Sequence, residues 1–178
     1  MGTALAAILG EGGVRVSMWV YESDLVERIN ATRVNDVFLP GVALPENVVA
    51  HSSLEVALRG ARTVFSVTPA QVARRVWREG ASFLERDADI VSASKGVETG
   101  TAKLMSEVLE ETLPFASPDR FAFLSGPSFA KEIAAGQPTA VVIASKNVAL
   151  AERIQRLVSN PSFRAYTTDD VVGVELGG

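Results

Sequence analysis

The sequence predicts an α/β fold built on a doubly wound, mostly parallel sheet. Two patterns along the 178 residues carry that expectation. Short β-rich runs alternate with helical patterns, the order expected of strands joined by crossover helices. Several runs, such as Ala140-Val141-Val142-Ile143-Ala144, are continuously apolar, which fits strands buried on both faces.

Taken in order, Thr3 to Gly10 is a helix pattern with no strand before it. Gly10-Glu11-Gly12-Gly13 falls between that helix and the next strand, so it reads as a C-cap and turn. Strands are expected at Val14–Val20, Asn47–Ala50, Thr63–Thr68, Ile90–Ala93, Phe121–Leu124, Thr139–Ala144 and Arg164–Tyr166. Helices are expected at Leu25–Ala31, Ser53–Arg59, Ala70–Glu79, Ala102–Thr112 and Ala149–Ser159. Pro40, Gly41 and Pro45 mark a loop after the second helix. Lys131 to Gly136 reads as a short helix closed by glycine, with Pro127 suited to a first helical position. No internal repeat, low-complexity tract or domain linker interrupts the chain.

Composition narrows the function. With 47% hydrophobic and 21% charged residues the chain reads as an ordinary soluble globular protein. A net charge of −4 gives no basic footprint for nucleic acid or an anionic membrane. Arg74, Arg75 and Arg78 cluster at helical spacing beside Glu79 and read as a solvated helix face. There is no cysteine, so disulfides and thiol catalysis are excluded. The single His51, at a strand-to-helix junction, reads as structural, and no metal site is expected. No stretch approaches the ~20 apolar residues of a membrane span. Met1-Gly2-Thr3-Ala4-Leu5 lacks the basic leader of a signal peptide.

Candidate chemistry gathers at or just beyond C-terminal strand ends, where open α/β sheets bind ligands. Ser125-Gly126-Pro127-Ser128-Phe129-Ala130 joins a strand to a helix start, an arrangement suited to a phosphate or carboxylate. Tyr21 and Glu22 end the strand after Gly2; Glu22 lies near the spacing at which an acid meets a ribose 2′-hydroxyl, and a solvent-exposed strand end is an equal reading. Lys95 sits beside Gly96 at a strand end, where it can reach a substrate oxygen, although loop lysines are common on surfaces. Thr68-Pro69-Ala70-Gln71-Val72 is a weaker candidate for lining a cofactor cleft.

Five segments in order resemble the N-terminal domain of the NAD(P)-dependent glycerol-3-phosphate dehydrogenase family. They are Gly2-Thr3-Ala4-Leu5-Ala6, Phe38-Leu39-Pro40-Gly41 with Leu44-Pro45-Glu46-Asn47-Val48, Ser94-Lys95-Gly96-Val97-Glu98, Leu124 to Ala130, and Val172 to Gly178. The resemblance implies a Rossmann-type domain over residues 1–178 that reduces dihydroxyacetone phosphate to glycerol 3-phosphate, or the reverse. It implies that Lys95, Gly126 and Ser128 bind substrate, with Lys95 orienting it. Gly2, Tyr21, Val72, Lys95 and Ala130 would contact the cofactor, with NAD favoured over NADP by Tyr21 and Glu22. It also implies a first, central strand and two fingerprint glycines before Met1. A proton-transferring lysine in an Ala-x-Lys-Asn run and a helical substrate domain would follow Gly178. The expectation is therefore a sheet lacking its central strand and no turnover by this stretch alone. A homodimer and a cytoplasmic setting are implied, with an organellar form left open. Two other readings stay open: a Rossmann dehydrogenase for another phosphorylated or hydroxyacid substrate, and a non-catalytic remnant that binds nucleotide or an intact subunit.

Overall fold

Eight of the ten residues in the first helix, α1 (Gly2–Glu11), are buried, because Ala4, Leu5, Ala6, Ala7, Ile8 and Leu9 leave no polar face. A helix apolar all round belongs inside a protein. In the computed structural model, which describes residues 1–177, α1 contributes to two hydrophobic cores at once. Gly12 caps it and Gly13 turns at φ +81, as the glycine cluster predicts.

β1 (Val16–Trp19) and α2 (Ser23–Thr32) follow. Next comes an antiparallel pair, β2 (Val34–Asn35) with β3 (Leu39–Ala43), where the sequence predicts a loop. Pro40 is tolerated inside β3 because each strand of a two-stranded pair is an edge. The remaining elements are β4 (Val48–His51), α3 (Leu54–Leu58), β5 (Thr63–Ser66), α4 (Ala70–Gly80) and β6 (Asp89–Ser92). They continue through α5 (Met105–Thr112), β7 (Phe121–Ser125), α6 (Ala130–Ala134), β8 (Thr139–Ala144), α7 (Val148–Val158), β9 (Phe163–Thr168) and α8 (Val171–Leu176). All seven expected strands are present, and α8 was not foreseen. Gly178, the end of the fifth resembling segment, lies outside the described residues.

The strands divide into two main groups. β1 pairs in parallel with β4, while β5-β6-β7-β8-β9 forms a separate sheet, parallel except between β7 and β8. β1 and β5 do not pair with each other, so each keeps an open edge. Val16 and Val20 donate to Asn47 and His51 on the β4 side, which turns the backbone groups of Ser17 and Trp19 toward the open side. Arg62 and Ser66 accept from Asp89 and Ala93 on the β6 side, leaving Thr63 and Phe65 facing outward. Burial follows the pairing. Every residue of β6 is buried, whereas Val16, Met18, Val64 and Phe65 are only half-buried.

Three further expectations are corrected. β8 buries Val141 and Ile143 but leaves Ala140 exposed, so its apolar run is not covered on both faces. The helix expected from Ala102 begins at Met105, because Glu98 and Lys103 form an antiparallel bridge and Ala102 turns at φ +56. Pro127 precedes α6 by three residues rather than opening it, and Phe129 is the N-cap.

Asp89, buried at the start of β6, holds the second sheet to its helices. Its carboxylate accepts from Arg120 at 2.9 Å and from Arg153 of α7 at 2.8 Å.

Candidate functional site

Parallel neighbours place their following loops side by side, about 4.8 Å apart. β6 and β7 are such neighbours, so the turns after them meet. Lys95 follows β6, and its ammonium donates to the carbonyl oxygen of Gly126 after β7 at 3.0 Å. Ser128 donates its hydroxyl to the same carbonyl at 3.2 Å. Lys95, Gly126 and Ser128 therefore converge on one point, which spacing alone does not reveal.

Gly126 is there for steric reasons. Its φ is +149, and a Cβ would stand 3.0 Å from the Ala140 oxygen and 3.1 Å from Val141 Cα. Only glycine lets the turn lie so close to β8.

The Lys95 turn is held from three sides. Ser94 donates to the Thr68 carbonyl at 2.7 Å, tying it to the end of β5. Gln71 clamps the following loop by donating to Val97 at 2.9 Å and accepting from the Thr99 amide at 2.8 Å. Arg74 grips Glu98 with two bonds of 2.7 and 2.8 Å and reaches Glu111 at 2.7 Å. The Arg74 pair, then the Thr101 hydroxyl, holds the Glu98 carboxyl at about 2, well below the usual carboxylate range. Arg74 thus leaves the solvated face expected of it and becomes an anchor. Gln71 lies in the segment expected to line a cofactor cleft and Arg74 on a face read as solvated, but position on an amphipathic helix gives no signal of a loop clamp.

The remaining expected residues fall on other elements. Val72 and Ala130 are half-buried, Val72 on α4 beside the clamp and Ala130 opening α6. Tyr21 stands beyond β1 with 68% of its surface exposed and meets Trp19 edge-on at 6.2 Å. Arg75 lies over the Tyr21 ring, 5.9 Å from its centroid. Gly2 opens α1, whose N-terminus has neither a side-chain cap nor an acidic residue in its first turn. Free amides, small residues and no carboxylate suit a phosphate group. With an exposed aromatic and a guanidinium beside it, these groups fit an adenine dinucleotide. His51 ends β4 opposite Trp19 and touches none of these groups through a side-chain hydrogen bond among the described residues. A cavity of about 100 Å³ lined by Ala4, Ile8, Ile133 and Phe163 sits elsewhere and includes no expected site residue. The described residues hold no cluster of His, Cys, Asp and Glu able to bind a metal.

Comparison with known proteins shows the family. The family described as NAD-dependent glycerol-3-phosphate dehydrogenase N-terminus matches residues 1–151. The chain belongs to this glycerol-3-phosphate dehydrogenase family. A glycerol-3-phosphate dehydrogenase [NAD(P)+] from Geobacter metallireducens is 46% identical over 177 residues, covering 99% of this chain and 53% of the relative. One from Koribacter versatilis is 47% identical over 178 residues, with the same coverage. The crystal structure of glycerol-3-phosphate dehydrogenase from Coxiella burnetii matches with a TM-score of 0.92 at 35% identity, over 99% of this chain and 53% of that one. The chain spans about half the length of the curated relatives it matches. No described helix is long and apolar enough to cross a membrane.

Proposed function

We propose that this glycerol-3-phosphate dehydrogenase family chain is the NAD(P)-binding half of an enzyme that interconverts dihydroxyacetone phosphate and glycerol 3-phosphate. The observation that carries this reading is the meeting of Lys95 and Ser128 on the Gly126 carbonyl. A cation, a hydroxyl and a close-packed turn at adjoining strand ends suit an oxygen-rich, anionic substrate.

In this reading Lys95 orients the substrate oxygens as a point charge, and Gly126 and Ser128 fix its position. Gly2 and the first turn of α1 take a phosphate of the dinucleotide, with Tyr21, Val72, Lys95 and Ala130 contacting the rest. NAD(P)H, when bound, supplies the hydride. Proton transfer falls to a lysine outside this sequence, and a helical partner domain completes the substrate pocket, as the family resemblance implies. The substrate is the small phosphorylated partner; a homodimer and a cytoplasmic setting complete the reading.

The test is NADH oxidation with dihydroxyacetone phosphate. A chimera joining this chain to the remaining half of the Geobacter metallireducens relative is expected to turn over and to lose activity with Lys95→Ala. The chain alone is expected to be silent. Retained activity in the Lys95→Ala chimera would overturn the role given to Lys95. Faster reduction of a 2-oxo acid would overturn the substrate.

A further inference from the structure

Arg75 sits on the second turn of α4, which follows β5, whereas Tyr21 follows β1. Their contact therefore joins the two sheets across the opening between β1 and β5, at the C-terminal strand ends. The neighbouring Arg74 is spent on Glu98 and Glu111, but Arg75 is exposed and has no carboxylate within ion-pair distance among the described residues. Its recorded attraction is to the Tyr21 ring, within the range of a cation–π contact. An aromatic ring bearing a free guanidinium can face both parts of an adenosine that carries an extra phosphate. The ring offers a flat apolar face, and the guanidinium offers paired donors matched to phosphate.

Glu22 stands next to Tyr21, exposed, at the N-cap of α2 without a capping bond. In α/β dinucleotide sites an acid in this region bonds the ribose 2′-hydroxyl, and a nearby arginine accommodates a 2′-phosphate. This chain presents both groups, one from each sheet.

We propose that Arg75 is the residue that recognises a 2′-phosphate on the adenosine ribose, opening the site to NADP(H) where Tyr21 and Glu22 alone favour NAD. This rests on the nucleotide-binding reading above. Arg75 acts through charge and bidentate geometry; Tyr21 holds it over the site. Glu22 works in the other direction, by repelling the added phosphate.

The experiment is calorimetric titration of the 178-residue chain with adenosine 2′,5′-bisphosphate and with adenosine 5′-monophosphate. The bisphosphate is expected to bind more tightly. Arg75→Ala is expected to weaken it about tenfold or more, as for a lost charge-assisted bond, while changing the monophosphate by less than about twofold. Arg78→Ala, one turn along the same helix, serves as the control for general charge and is expected to leave the ratio unchanged. Glu22→Gln is expected to raise it. Monophosphate binding with no preference for the bisphosphate, or a preference that survives Arg75→Ala, would overturn the role of Arg75 alone. Failure of both nucleotides to bind a chain with intact circular dichroism would overturn the nucleotide-binding reading together with it.

Discussion

Lys95 and Gly126, 31 positions apart in sequence, are joined by a 3.0 Å hydrogen bond from the ammonium to the carbonyl. The bond exists because β6 and β7 are parallel neighbours, and it fixes the cation over the turn that follows β7. Lys95→Arg is therefore not conservative: a planar fork replaces a compact charge. In the chimera described above, Lys95→Arg is expected to retain nucleotide binding and lose most turnover. Steady-state kinetics beside nucleotide titration separates the two effects.

Gly126→Ala tests the turn itself. At φ +149, with backbone atoms near 3 Å from the added Cβ, the substitution is expected to cost about 1–3 kcal/mol. For a chain of this size that corresponds to a fall in Tm of roughly 2–4 °C per kcal/mol, read by thermal melting. An unchanged Tm would show that the turn relaxes without strain.

Glu98 and Glu175 predict opposite pH dependences. Arg74 and Thr101 depress the folded Glu98 carboxyl from 4.5 to about 2, so its stabilising effect is full above pH 4.5 and fades as pH falls toward 2. Glu98→Gln is expected to flatten the acid limb of the stability profile. Burial raises the Glu175 carboxyl, against hydrogen bonds from the Ser106 amide at 2.9 Å and hydroxyl at 2.6 Å. Its raised folded value favours the protonated form, so stability falls as pH rises above 4.5. Glu175→Gln is expected to reduce that decline. Denaturant midpoints between pH 2 and 7 check both.

Asp89→Asn keeps the shape at the start of β6 and removes the charge between Arg120 and Arg153. Because the carboxylate is buried and both guanidiniums are partly wetted, a loss of about 1–3 kcal/mol is expected in urea denaturation. Arg120→Ala combined with Arg153→Ala is expected to cost more than the sum of the separate changes, since either arginine alone still pairs the buried carboxylate and losing both leaves it unpaired.

Strand positions were legible because buried strands need continuous or alternating apolar residues, and Thr63, Ile90, Phe121 and Thr139 begin such runs. The β2–β3 pair was not. Its pairing depends on backbone groups, and Pro40-Gly41 looks like a turn whether or not a second strand lies beside it. The start of α5 was hidden for a different reason. Arg74 holds Glu98, whose bridge to Lys103 keeps the chain non-helical past Ala102, a tertiary restraint that no local propensity records. Lys95, Gly126 and Ser128 were each visible as residues, but their convergence depends on strand order. Arg75 was visible only as charge, because its meaning depends on which strand end α4 overhangs.

The open edges of β1 and β5 divide the molecule by exchange rate. The backbone amides of Ser17, Trp19, Thr63 and Phe65 have no ladder partner on that side, so they should trade hydrogen for deuterium quickly despite lying in strands. The amides of β6 and β7, two largely buried strands each paired on both edges, should trade slowest. A ligand spanning Tyr21 and Lys95 would touch both sheets at once. Its grip would appear as slowed exchange in the first sheet, far from the atoms it contacts in the second.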